Sequence, residues 1–117
     1  MDTVVVHLAA AVICWANHCY PALVGPRTPV GTFVLQHSRI LAPGYGGDVL
    51  AFARDESGVY AVHRVWLLKP KQHRLERLHS DSVEDRKSIT DGCINVDPEV
   101  YEQLLSCCSR SKIVIEQ

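Results

Sequence analysis

Apolar and polar positions alternate in short runs along most of this chain, separated by glycine, proline and Asn/Asp turns. Thr3 to Leu8, Val12 to Trp15 and Tyr20 to Val24 read as two or three β-strands arranged as a hairpin pattern. Gly25-Pro26-Arg27-Thr28-Pro29-Val30-Gly31 marks a rigid bend leading into a strand over Thr32 to Gln36. Leu41 to Gly47 reads as a glycine-rich loop flexible enough to move over a groove. Asp48 to Ala53 and Val59 to Trp66 are strands joined through the turn Asp55-Glu56-Ser57-Gly58. Lys69 to Lys87 is polar and poor in strand signals, with a short helix expected over Gln72 to Leu78. Asp97-Pro98-Glu99 opens a clear helix: a capping carboxylate, proline at the first position and an acid at the positive end of the dipole. Val100, Leu104, Leu105 and Cys108 share one face of it, and Lys112 to Glu116 is a closing strand. The order predicts a β-rich α+β domain with one or two short helices and no internal repeat.

At 117 residues the chain is one domain, residues 1–117, long enough to bury a core without needing disulfides or a metal. Apolar content of 47% and charged content of 21% are those of a globular protein. A formal net charge of −1 supplies no global field toward nucleic acid or a membrane surface. The apolar run from Val4 to Ala16 mimics a signal peptide, but Asp2 stands where a basic region belongs and His7 interrupts it. The run is also too short to span a bilayer, so no targeting or membrane-spanning segment is expected. Charge is uneven: seven of the twelve basic residues lie between Arg64 and Ser88, opposed there only by Glu76, Asp81, Glu84 and Asp85. A solvated loop and a site that meets acidic groups are about equally good readings of that cluster.

The five cysteines are Cys14, Cys19, Cys93, Cys107 and Cys108. No CxxC pair or Cys/His zinc spacing occurs, so no metal and no cofactor is expected. Cys14 and Cys19 flank a tight turn and would suit a bridge in an oxidising compartment. Cys107 and Cys108 are helix neighbours whose bridging would strain the backbone. The expectation for all four is a role as small apolar residues, which leaves Cys93 as the unpaired thiol.

Cys93 stands in Thr90-Asp91-Gly92-Cys93-Ile94-Asn95, and the apolar run Val59 to His63 carries one histidine. A thiol attacks as the thiolate, and a nearby imidazole is the common means of generating it. Gly92 lets the backbone turn so that N–H groups face a developing oxyanion. Asp91 beside the thiol would raise its pKa unless it points away or pairs with Arg86 or Lys87.

An opening hairpin, Thr28-Pro29-Val30-Gly31-Thr32-Phe33, a histidine ending a strand, and Thr90-Asp91-Gly92-Cys93-Ile94-Asn95 before a short helix together resemble the L,D-transpeptidase catalytic domain, over about Val4 to Ile115. The resemblance implies a mixed β-sandwich or barrel-like fold that acts on peptidoglycan stem peptides in the periplasm or cell wall. It implies Cys93 as nucleophile, His63 as the thiolate's ion-pair partner and proton donor, and the N–H groups of Gly92 and Cys93 as oxyanion hole. It further implies that the backbone carbonyl of Arg64 orients the imidazole; the Thr90 hydroxyl either bonds near the thiolate or serves a plain structural role. Asn95 holds the motif loop or touches substrate, and Tyr45 or Tyr60 shapes the groove, with a buried aromatic the better reading of Tyr60. Arg64, Asp91 and Asn95 stand where relatives often carry glycine, histidine and arginine. The thirty residues from His63 to Cys93 make the segment 64–88 an insertion, whose Arg74 and Arg77 would meet the stem's carboxylates.

Three classes follow. One is a transpeptidase, carboxypeptidase or endopeptidase of stems; with no evident export signal, either the sequence is a piece of a longer chain or the protein leaves by another route, as a toxin delivered into rival cells would. Another is a different Cys-His acyl hydrolase. The third is a non-catalytic interaction domain of the same fold, with a protein partner the sequence does not name.

Overall fold

The structure is a computed structural model that describes residues 2–117. Among the described residues nine strands form two mixed sheets. The first holds β1 (Val4–His7), β2 (Val12–Trp15), β3 (His18–Pro21), β4 (Gly31–Val34) and β9 (Lys112–Glu116), in the order β3-β2-β1-β9-β4. The second is ordered β5 (Gln36–Arg39), β6 (Asp48–Asp55), β7 (Gly58–Arg64), β8 (Ile94–Val96). Each sheet contains one parallel pairing, β1 with β9 and β7 with β8. Both sheets are open, so the arrangement is a two-sheet sandwich and not a closed barrel.

Alternation explains the core. Val4, Val6, Ile13, Ile113 and Ile115 from one sheet meet Leu50, Phe52, Val62, Ile94 and Val96 from the other. α3 (Pro98–Cys108) closes this core with Val100, Tyr101, Leu104 and Cys108. The Asp97 carboxylate accepts from the Glu99 N–H at 3.0 Å, with Pro98 in the first turn, as the sequence predicts.

Two expected strands divide at the points where the chain changes sheet. Leu35 separates β4 from β5, donating its N–H to Ser111 at 2.8 Å between sheets. The run Tyr20–Val24 leaves the first sheet after Pro21, and Leu23 then pairs with Asn95 of the second. The segment after β7 holds a 3₁₀ turn (Pro70–Gln72), α1 (Arg74–Leu78) and α2 (Val83–Arg86), giving three α-helices where one or two are expected. α2 is too short to carry an apolar period, which is why the pattern hides it. Leu78 anchors the segment on Leu23 and Val65 in a second small core.

The cysteines correct the apolar reading. Cys14 and Cys19 face each other across the β2–β3 ladder, Cα atoms 4.1 Å apart, and are bridged. Cys107 is bridged to its neighbour Cys108 in the last turn of α3. Among the described residues Cys93 is the free thiol, and no helix is long and apolar enough to cross a membrane.

Buried Arg86 ties the segment to the first sheet. It donates to the carbonyls of Ala11 at 3.1 Å, Ala10 at 3.0 Å and Ser80 at 2.7 Å. Arg86→Leu removes the charged donor from all three carbonyls, leaving Ala11 only the Ala22 N–H, and should cost about 3 kcal/mol in urea unfolding. A loss under about 0.5 kcal/mol would show that the clamp contributes little.

Candidate active site

The parallel register of β7 and β8 sets His63 opposite Asn95 and Val62 opposite Ile94. Because successive side chains alternate, Val62 and Ile94 enter the core while His63 and Asn95 share the other face. Cys93 lies one residue before β8, two positions from Asn95, and so comes to that same face.

The loop holding Cys93 is clamped by two threonines. Thr28 accepts from the Gly25 N–H at 3.1 Å and donates to the Gly92 carbonyl at 2.9 Å. Thr90 donates to the Cys93 carbonyl at 2.7 Å and accepts from the Gly92 N–H at 3.2 Å. Gly92 has φ 150°, and a Cβ there would lie 2.4 Å from the Tyr60 ring, so glycine is required on both counts. Thr90 therefore braces the loop instead of reaching the sulfur, and the Gly92 N–H is engaged rather than open for an oxyanion.

His63 is buried, and its orientation is fixed from both ring nitrogens. Nδ1 lies 2.7 Å from the Arg64 carbonyl; a carbonyl only accepts, so Nδ1 carries the proton. Nε2 faces the Asn95 amide nitrogen at 3.4 Å. The Asn95 oxygen accepts from the Trp66 N–H at 3.1 Å and from Arg74 Nη1 at 3.0 Å, which fixes the way the amide points. The edge of the Tyr45 ring meets the imidazole, centroids 4.7 Å apart. Arg64 is itself held by Asp48 at 2.8 Å and Glu102 at 2.6 Å, with its guanidinium over the Tyr101 ring.

Burial decides the charge state. It pushes His63 down to about 4, helped by the nearby Arg74 cation and opposed by the bond to Arg64. It pushes the Cys93 thiol up, with Asp91 adding to the rise while the Ala61 backbone and Arg74 work against it. At rest the thiol is neutral, its S–H directed to the Val59 carbonyl at 3.8 Å, and the imidazole is neutral, in place of the expected ion pair. Asp91 is exposed, and the cation whose field it meets is Arg74, not Arg86 or Lys87.

Cys93 and His63 open onto one cavity of about 350 Å³, shared with Tyr45, Trp66, Arg74 and Asp91. A smaller space of about 120 Å³ lies on the other side of Cys93, walled by Arg27, Ser57 and Tyr60. Tyr60 is buried, as expected, yet its hydroxyl donates to Asp55 at 2.6 Å and its ring borders this space. The segment 64–88 divides in role. Arg74 reaches the cavity, whereas Arg77 donates to the carbonyls of Asp85 at 2.6 Å and Lys87 at 3.3 Å. The contact of Asn95 with His63 and the place of Trp66 are not legible in the motif, since both depend on strand register. Among the described residues no three metal-binding side chains converge.

The neutral state of His63 has a measurable consequence. Its folded pKa lies below the ordinary 6.5, so the unfolded chain binds more protons between pH 6.5 and 4. The stability from keeping His63 neutral is fully present above pH 6.5 and is lost as pH falls to about 4. The loss should be about 3 kcal/mol, read as the difference in pH slope of urea unfolding between wild type and His63→Gln. Equal slopes would contradict a buried neutral imidazole.

The sequence matches no protein-family model and no curated protein. Solved structures do match. L,D-transpeptidase 3 from Mycobacterium tuberculosis, in complex with a faropenem-derived adduct, aligns with a TM-score of 0.70 at 14% identity, covering 99% of this chain and 60% of that one. The helical cell shape determining protein Pgp2 from Campylobacter jejuni aligns at 0.68 and 14% identity, covering 99% and 47%. The L,D-transpeptidase from Xylanimonas cellulosilytica aligns at 0.61 and 15% identity, covering 98% and 60%. The chain spans about 60% of the length of such transpeptidases. Nearly the whole of it thus has the fold of an L,D-transpeptidase catalytic domain.

Proposed function

We propose that this domain is a cysteine acyltransferase acting on peptidoglycan tetrapeptide stems. The observation that carries the reading is that Cys93, the free thiol, shares the wall of one open cavity with an oriented, neutral His63. His63 Nε2 takes the thiol proton as sulfur attacks the carbonyl of the L-centre residue. The 3.4 Å approach of Asn95 is long and weak, so it positions Nε2 without holding its lone pair firmly. The imidazolium then protonates the leaving amine, D-alanine departs, and a thioester remains. A second stem's side-chain amine attacks it to form a cross-link, or water attacks to give a tripeptide.

Oxyanion stabilisation falls to the Cys93 N–H and the Tyr45 hydroxyl, since Thr90 engages the Gly92 N–H. Burial raises the Tyr45 pKa, and the nearby Cys93 raises it further, which keeps the phenol a donor. Removing such a donor typically costs roughly 10²–10³ in rate.

Incubation with tetrapeptide muropeptides should give dimers or tripeptides by mass, and Cys93→Ala should give neither. Products unchanged between the two proteins would end the enzyme reading in favour of an interaction domain. Because burial holds the thiol above its ordinary 9.0, iodoacetamide labelling of Cys93 should still accelerate beyond pH 9. A plateau below that pH would show a thiolate already stabilised in the free protein.

A further inference from the structure

We infer that Arg74 forms a carboxylate-binding subsite beside Cys93, which restricts the acyl donor to peptides cleaved one residue before a free C-terminal carboxylate. The inference rests on the acyl-transfer reading for its reaction, and on the placement of one cation for its content. Arg74 is half-buried in the cavity wall, and its guanidinium is immobilised on three sides. Nε donates to Gln72 at 2.8 Å, Nη1 donates to Asn95 at 3.0 Å, and the plane lies over the Trp66 ring at 5.1 Å. Nη2 has no hydrogen-bond partner among the described residues.

The other partly or fully buried arginines of this region spend their donors away from this cavity. Arg64 has two carboxylates, Arg86 three carbonyls and Arg77 two carbonyls. Arg74 has no ion-pair partner among the described residues; Asp91 acts on it only at longer range. A partly desolvated cation with one open N–H edge, facing the nucleophile's cavity, is a site for an anion from outside. Lys69 on the same wall adds a second positive charge.

Substrate geometry supplies the anion. In a peptide cleaved at its last bond, the terminal carboxylate lies one residue, about 3.8 Å of chain, from the attacked carbonyl. A guanidinium in the cavity that holds the thiol can therefore meet it. Where the peptide continues, or ends in an amide, a neutral group takes that place and Arg74 stays uncompensated. The subsite favours removal of a terminal residue over cleavage within a longer peptide or cross-link.

The test uses two tetrapeptide stems that differ only in a C-terminal acid or amide. Wild type should process the acid at least about tenfold more efficiently in kcat/KM. Arg74→Gln should bring that ratio to about one, with Arg74→Lys between, since an ammonium lacks the planar fork. Reading a ratio removes any general damage to Asn95 and His63. Wild type active equally on both stems, or Arg74→Gln keeping the full ratio, overturns the subsite. Calorimetric binding of both stems to Cys93→Ala separates the two claims: acid preference there, abolished by adding Arg74→Gln, supports the subsite even if wild type proves inactive. Equal binding of acid and amide overturns the subsite even if wild type turns over.

Discussion

The parallel register between β7 and β8 is the constraint on which the candidate site depends. It puts His63 beside Asn95, buries Val62 and Ile94 beneath them, and brings Cys93 to the same face. Parallel neighbours cannot be joined by a tight turn; they require a crossover of a dozen residues or more. Residues 65–93 supply that crossover here. Their length allows them to do more than connect: Trp66 and Arg74 return to the cavity, and Arg86 fastens the segment to the first sheet.

Burial then sets the chemistry that this geometry permits. The same desolvation pushes the imidazole down and the thiol up, so the proton rests on sulfur. The carbonyl of Arg64 fixes the tautomer, and the side chain of Arg64, gripped by Asp48 and Glu102, keeps that carbonyl in place. A residue that looks like a departure from the pattern at position 64 thereby stiffens the site through an ion-pair network reaching α3.

Local signals made much of the fold legible. The β6–β7 turn, the α3 cap and the closing strand depend on neighbours in sequence, and each lies where the pattern places it. The Thr90–Asn95 stretch pointed to Cys93 because its residue types carry chemistry by themselves. The crossover was opaque, since its short helices have too few turns for a period and its anchors, Leu78 on Leu23 and Arg86 on Ala10, are remote. Composition alone could not separate Arg74 from Arg77, three residues away, because pairing distinguishes them and pairing is tertiary. The cross-strand facing of Cys14 and Cys19 and the bracing role of Thr90 likewise appear only in three dimensions.

The proposed acyl transfer requires that sulfur at Cys93 form a covalent acyl bond with a stem peptide. Intact-protein mass spectrometry after mixing with tetrapeptide, without an acceptor amine and quenched in acid, tests it most directly. An adduct equal to the peptide less its terminal alanine, mapped to Cys93 and discharged by hydroxylamine, is expected. An unmodified mass under conditions where the peptide is bound would contradict it.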